Sequence, residues 1–324
     1  MRRTWLAAAT FAVLLPLIGA SSFAADSAKS AKSAQPAAKT TPVPLLWKVS
    51  DKDNSVYLLG SFHMLRADDY PLSKDVDAAY ADAEEVVFEM PPEEIMSKEL
   101  SAQMAMAALR TDGTTLSDDL TPDLARQLSA WTDKNASALA TNGMSPKMLQ
   151  MLDPWFVGLA ITIVEAQGAG FESELGLDNH FGKRAKDDGK RTAGMETGAQ
   201  QLEMLDGMSR EEQLQMLAES LDPDDGGRAG LRKLHDMWRR GDAKLLWSNM
   251  GADFLAEYPA LYKRINVERN DAWVPKIASR LDAPGTDDTL VVVGTLHLLG
   301  KDGVTEKLKA KGYKVERICS ACKP

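Results

Sequence analysis

Short apolar blocks stand near both ends of the chain, and a long helical stretch lies between them. Leu45–Ser50 and Ser55–Gly60 read as two strands joined by the turn residues Asp51-Lys52-Asp53-Asn54, a hairpin. Residues 73–83 read as a helix, and Glu85-Val86-Val87-Phe88-Glu89 as a short strand that stops at Pro91-Pro92. From Glu93 to about Leu281 the pattern is mostly helical, with start signals at Asp153-Pro154 and at Ser209 ahead of Glu211-Glu212. Within that stretch Pro154–Gln167 is the most apolar segment and predicts a buried helix. Leu175–Asp188 predicts a helix carrying His180, and Arg191–Met195 a short extended piece that ends at Glu196-Thr197. Leu290–Gly294 and Tyr313–Ile318 predict two closing strands. Strands at both ends around a helical middle predict an α/β fold: a mixed central sheet built from N- and C-terminal strands, with a large helical insertion.

Two of these strands end in the same phrase. Gly60-Ser61-Phe62-His63 follows Val56-Tyr57-Leu58-Leu59, and Gly294-Thr295-Leu296-His297 follows Leu290-Val291-Val292-Val293. Each copy reads as strand, Gly turn, hydroxyl residue, His, and each is followed by apolar residues and an acidic loop. With 23 Gly and 4 His in 324 residues, chance predicts about 0.3 G-x-x-H matches, so the shared context, more than the bare pattern, argues against accident.

Ligands of α/β sheets sit beyond the carboxyl ends of strands, and His63, Glu89 and His297 all have that address. Two imidazoles and a carboxylate make a His₂Glu donor set for an open catalytic metal site, and Mn²⁺, Co²⁺ and Zn²⁺ all suit it. Plainer readings stand beside each residue. A lone His after a strand can bond a nearby carbonyl, and Glu89 can be a turn or helix-start carboxylate. His180 reads as a surface or packing residue, and His235, in the charged run Arg232–Arg240, as structural. The Met-rich stretch 96–106 reads as gap filling in the core, because no adjacent His or Cys suggests copper.

Composition adds a compartment and removes some partners. Arg2-Arg3, the apolar stretch Trp5–Ile18 and the small residues before Ala24 read as a signal peptide over residues 1–24, hence a periplasmic or secreted protein. Residues 25–44, of Ala, Lys, Ser, Thr and Pro, read as a disordered linker, which leaves one folded domain over 45–324. The formal charge is −9, and about −11 once Arg2 and Arg3 are removed, so nucleic acid and anionic lipid are poor partners. No later segment is apolar for long enough to predict stable membrane insertion of the mature chain. Cys319 and Cys322, the only cysteines, read as a terminal disulfide.

The paired G-x-x-H motifs with Glu89 resemble the TraB/PrgY/GumN family, whose animal relatives, the Tiki proteins, are regarded as metal-dependent proteases. The resemblance extends through Gly176-Leu177-Asp178-Asn179-His180-Phe181, Gly194-Met195-Glu196-Thr197, Glu268-Arg269-Asn270 and Val293–Gly303, in the order typical of GumN-like members. It implies a metal-dependent hydrolase that cleaves a peptide or protein substrate, with a divalent metal (Mn, Co or Zn) held by His63, His297 and Glu89. Glu196 is then a further ligand or the general base, and Arg269 holds the substrate carbonyl or the developing oxyanion. The plainer alternatives are a helix-start turn for Glu196 and Thr197 and an ion pair with a neighbouring acid for Arg269. Asp178 reads as an acid that orients a ligand or as a helix-surface charge. A competing function is a non-catalytic protein that sequesters a peptide or small ligand. The short-spaced zinc signature H-E-x-x-H is absent, so a site must assemble from segments about 230 residues apart.

Overall fold

A computed structural model describes residues 40–95, 97–222 and 227–322. The expected signal peptide (1–24) and residues 25–39 of the expected linker lie outside them. Residues 40–44 of that linker are seated against the body: Pro42 and Pro44 are buried, and the Val43 N–H donates to the Arg239 carbonyl at 2.8 Å.

The strands are β1 (Leu46–Ser50), β2 (Ser55–Ser61), β3 (Ala83–Phe88), β4 (Arg191–Gly194), β5 (Asp288–Gly294) and β6 (Lys314–Arg317). They form one mixed sheet in the order β4-β3-β5-β2-β1-β6. The four strands β4, β3, β5 and β2 run parallel, and β1 pairs antiparallel with both β2 and β6. Ser61 lies opposite Gly294 and Phe88 opposite Val292. The chain therefore leaves β2, β3 and β5 at one edge of the sheet, side by side.

The helices that matter here are α1 (Lys74–Asp82), α2 (Pro154–Gly168), α3 (Leu177–Asp188), α4 (Arg210–Leu221), α5 (Arg228–Arg239), α6 (Glu268–Leu281) and α7 (Val304–Ala310). Strand side chains alternate between two cores. Tyr57, Leu59, Val86, Phe88, Leu290 and Val292 face the larger one, shared with α1 to α5. Val56, Leu58, Val87, Val291 and Val293 face the smaller one, closed by Trp273, Ile277 and Leu281 of α6 and Val304 and Leu308 of α7. Burial on both faces is why these parallel strands read as unbroken apolar runs instead of alternating ones. The insertion is organised around α2, whose residues Pro154–Ala166 are all buried. An apolar stripe on every side of a helix requires this surround, and α4 packs against it with Leu217 at Gly158.

Two features place elements near the strand ends. The 172–176 segment docks on the loop after β2 through reciprocal backbone hydrogen bonds between Leu65 and Glu172, at 3.1 and 2.8 Å. The dock requires Gly176, because a Cβ there would lie 1.9 Å from the His63 carbonyl oxygen. It brings the first turn of α3, with Asp178, against His63. From the other side, Trp238 of α5 donates its indole N–H to the Gly60 carbonyl at 2.9 Å and packs on Phe62.

His235 is buried, with Nε2 at 2.8 Å from Asp69, and His180 packs on Tyr70 and Phe181. Of the Met-rich stretch, Met104 is buried in the core, whereas Met106 is 72% exposed and fills no gap there; Met96 lies outside the described residues. Cys319 and Cys322 form a disulfide. Among the described residues no helix is long and apolar enough to cross a membrane.

Candidate active site

His63, Glu89 and His297 stand just beyond β2, β3 and β5, and the sheet order puts Glu89 and the two imidazoles in one cluster. His63 Nε2 and His297 Nε2 each lie 3.8 Å from the same oxygen, Glu89 Oε1. That oxygen also accepts the Gly294 N–H at 2.7 Å, so the second motif's own backbone fixes the carboxylate.

Each imidazole is anchored from behind through Nδ1. His63 donates Nδ1–H to Asp178 Oδ2 at 2.6 Å, and Ser61 Oγ–H donates to the same oxygen at 2.5 Å. Asn270 Nδ2 donates to the Asp302 carbonyl at 2.8 Å, which turns its Oδ1 to His297 and assigns the proton to Nδ1 at 2.7 Å. In their neutral form both rings are thereby left with an Nε2 lone pair on the Glu89 side. Nε2 of His63 is buried without a hydrogen-bond partner among the described residues.

Arg269, on α6, fills the remaining side. Its guanidinium donates from NH1 to His297 Nε2 at 3.1 Å, from NH2 to Glu89 Oε2 at 2.5 Å, and from Nε and NH2 to Glu196, the Nε bond being 2.9 Å. Glu196 also accepts from Gln201 Nε2 at 2.8 Å and Trp273 Nε1 at 3.4 Å. The Trp273 ring lies against both His297 and the guanidinium. The pairing of Arg269 with neighbouring acids, one of the two readings open in the sequence, is what the side chain does here.

Burial and neighbours set the charges. Burial drives the His297 pKa well below 6.5, helped by the positive Arg269 and then by His63. Burial also opposes a charge on His63, but Asp178 and then Glu89 outweigh it and hold that ring above 6.5. Glu89 is raised by burial against the pull of Arg269 and His63. Asp178 would be raised by burial, yet His63 and Ser61 hold it below 3.8. The two His of one repeated motif thus differ: one ring backs onto a carboxylate, the other onto a neutral amide beside a cation.

The donors present, two nitrogen lone pairs and a carboxylate, are of the kind that divalent metals take. The orphaned Nε2 of His63 is the observation that fits such an ion best. Among the described residues, no three His, Cys, Asp or Glu side chains are close enough to enclose an ion, and the Arg269 guanidinium stands among the donors.

Gly294 lines this cluster, and its φ of −48° suits any residue, so its lack of a side chain answers to space alone. A Cβ would lie 3.0 Å from Glu89 Oε1, 3.3 Å from His63 Nε2 and 3.5 Å from His297 Cδ2. Gly294→Ala is expected to lower stability by ~1–3 kcal/mol, the usual cost of overpacking a filled interior. Urea unfolding checks this, and an unchanged midpoint would mean that the cluster yields to a methyl group.

Sequence reasoning gave no role to Asn270. The signal for Asn270 was its place on one helix with Arg269 and Trp273, but its facing partner depends on how α6 docks. The TraB/PrgY/gumN family model matches residues 45–317 of the chain. Neither the curated proteins nor the solved structures contain a match.

Proposed function

The chain belongs to the TraB/PrgY/gumN family, and from that premise we propose that it is an exported metal-dependent hydrolase acting on peptides, with His63, Glu89 and His297 as the metal donors. One observation carries the reading: two imidazoles, each anchored through Nδ1, present Nε2 at 3.8 Å from a single oxygen of Glu89. Anchoring of this kind fixes the tautomer and orientation that a metal-binding His needs. The Asp178 that raises the proton affinity of His63 raises its strength as a donor in the same way. A bound Mn²⁺, Co²⁺ or Zn²⁺ would supply a Lewis acid for a carbonyl and water acidic enough to attack near neutral pH.

The protein's own groups do the rest. Arg269 offers a planar cation for the substrate carbonyl or the oxyanion that develops from it. We assign Glu196 to Arg269, whose guanidinium it holds from outside the donor cluster, in preference to the roles of ligand or base. The two cores and Trp273 exclude water from the inner face, so the open side is at His63, Asp178 and Glu196, whose side chains are 11–12% exposed. Peptides are the substrate class that the likeness to the Tiki proteins implies. The Cys319–Cys322 disulfide supports export, since such bonds persist in oxidising compartments.

The test is mass spectrometry of a peptide library incubated with substoichiometric protein. Cleaved peptides are expected, their formation abolished by exhaustive chelation and restored by one of the three metals. Peptides retained intact in stoichiometric amount, or cleavage that survives chelation, would overturn the hydrolase.

A further inference from the structure

We propose that Arg269 is a displaceable cation: it holds the metal-free site closed, and a metal ion binds only by driving its guanidinium off His297 and Glu89 onto Glu196. The inference rests on the metal reading above and concerns how that same site is regulated.

An imidazole nitrogen has one lone pair, and at His297 Nε2 that pair already accepts the NH1 hydrogen of Arg269, at 3.1 Å. The NH2 group of the same guanidinium takes Glu89 Oε2 at 2.5 Å. One converging donor atom, His297 Nε2, is therefore taken by a cation that belongs to the chain, and the Glu89 charge is paired with the same cation through its other oxygen. A guanidinium and a divalent ion cannot share His297 Nε2, because its lone pair admits one partner, and at Glu89 the two positive charges repel inside a buried cluster. His63 Nε2 alone is left unclaimed.

The retreat is also built in. Glu196 binds the far edge of the guanidinium through Nε, at 2.9 Å, and through NH2, and the Trp273 ring lies along its face, 4.7 Å from the centroid. Arg269 can give up His297 and Glu89 and remain paired with Glu196 and stacked on Trp273. In that position the hydrogens that NH1 and NH2 now give to His297 and Glu89 are released.

Two opposite effects on metal affinity follow. Loss of Arg269 leaves Glu89 unpaired in the metal-free protein but neutralised in the loaded one, so binding tightens. Loss of Glu196 removes the carboxylate that Arg269 keeps in the loaded protein, so binding weakens although no donor has changed. Removing both returns the strong binding of the first, since a missing guanidinium needs no refuge.

The experiment is a Co²⁺ titration of the full chain, followed by the visible absorption of the bound ion and, independently, by the shift in thermal unfolding. R269M is expected to bind Co²⁺ at least about tenfold more tightly than the wild type, the factor carried by one charge-assisted hydrogen bond. E196Q is expected to bind about tenfold more weakly, and E196Q/R269M as tightly as R269M. Should R269M not fold, R269K replaces it, because a single ammonium cannot span His297, Glu89 and Glu196 together and must also bind more tightly than wild type. Equal affinity in wild type and R269M removes the latch and leaves the metal reading standing. A double variant as weak as E196Q makes Glu196 a ligand and removes the retreat. Absence of specific Co²⁺ binding in every form removes the metal reading and the latch with it.

Discussion

His297→Ala is expected to lower peptide turnover by at least about 10³-fold while the protein stays folded. Polarisation by a held metal accounts for several kcal/mol of barrier, and ~1.36 kcal/mol is a factor of ten, which sets that scale. The folding cost is smaller. The side chain is 1% exposed and has two partners, Asn270 and Arg269. Asn270 and Arg269 keep other bonds when the ring is removed, to Asp302 and to Glu89 and Glu196. A loss of ~1–3 kcal/mol is the ordinary consequence of unpairing such groups, against a total stability of ~5–15 kcal/mol. His63→Ala should behave alike in turnover. Both variants should also lose the Co²⁺ absorption, which separates loss of the ion from loss of positioning. Turnover within tenfold of wild type in a folded His297→Ala protein would remove His297 from the chemistry.

How much of this could be read beforehand follows from which contacts are local. Val56–Leu59 and Leu290–Val293 were legible because a parallel strand buried on both faces must be apolar at every position. His63, Glu89 and His297 were legible because each stands just past such a strand, where side chains leave the core. Their convergence was not, since it depends on β5 entering between β2 and β3 across about 230 residues of chain. The anchors were legible only in part, for a related reason: Asp178 was a candidate orienting acid, and Asn270 was not. Asp178 and Asn270 sit on helix surfaces, and a helix does not declare which residue faces a neighbour until it docks. The docking of α3 turns on the absence of a Cβ at Gly176. Arg269 was placed near the site only by resemblance, and its three-way hold on Glu89, Glu196 and His297 unites residues from four segments. Asp69 shows the same limit in reverse: it directly follows the stretch that reads as an acidic loop, yet it is fully buried.

That buried carboxylate supports the underside of the first motif, and Asp69→Asn is expected to be among the most destabilising single changes in the chain. Asp69 accepts from His235 Nε2 and from the Arg66 N–H, both at 2.8 Å, and pairs with the Arg239 guanidinium. The His235 ring stacks on Trp238 and touches Phe62 and Phe171. Trp238 in turn holds the Gly60 carbonyl, so the network reaches the turn that delivers His63. Removing one partner of a buried charge pair costs ~3–5 kcal/mol, or roughly 6–20 °C in thermal midpoint at ~2–4 °C per kcal/mol for a domain of this size. Burial would raise the Asp69 pKa, but His235, Arg66 and Arg239 together hold it below the ordinary 3.8. A carboxylate with a depressed folded pKa stabilises above its unfolded value and loses that contribution as pH falls through the folded one. The stability gap between wild type and Asp69→Asn should therefore be full at pH 7, begin to close only below about pH 3.8, and shrink further in stronger acid. Thermal unfolding of the two proteins across that range measures the difference directly, with the other acidic groups common to both. Equal midpoints at pH 7, or a gap that narrows between pH 7 and 5, would show that the charge on Asp69 does not hold the first motif in place.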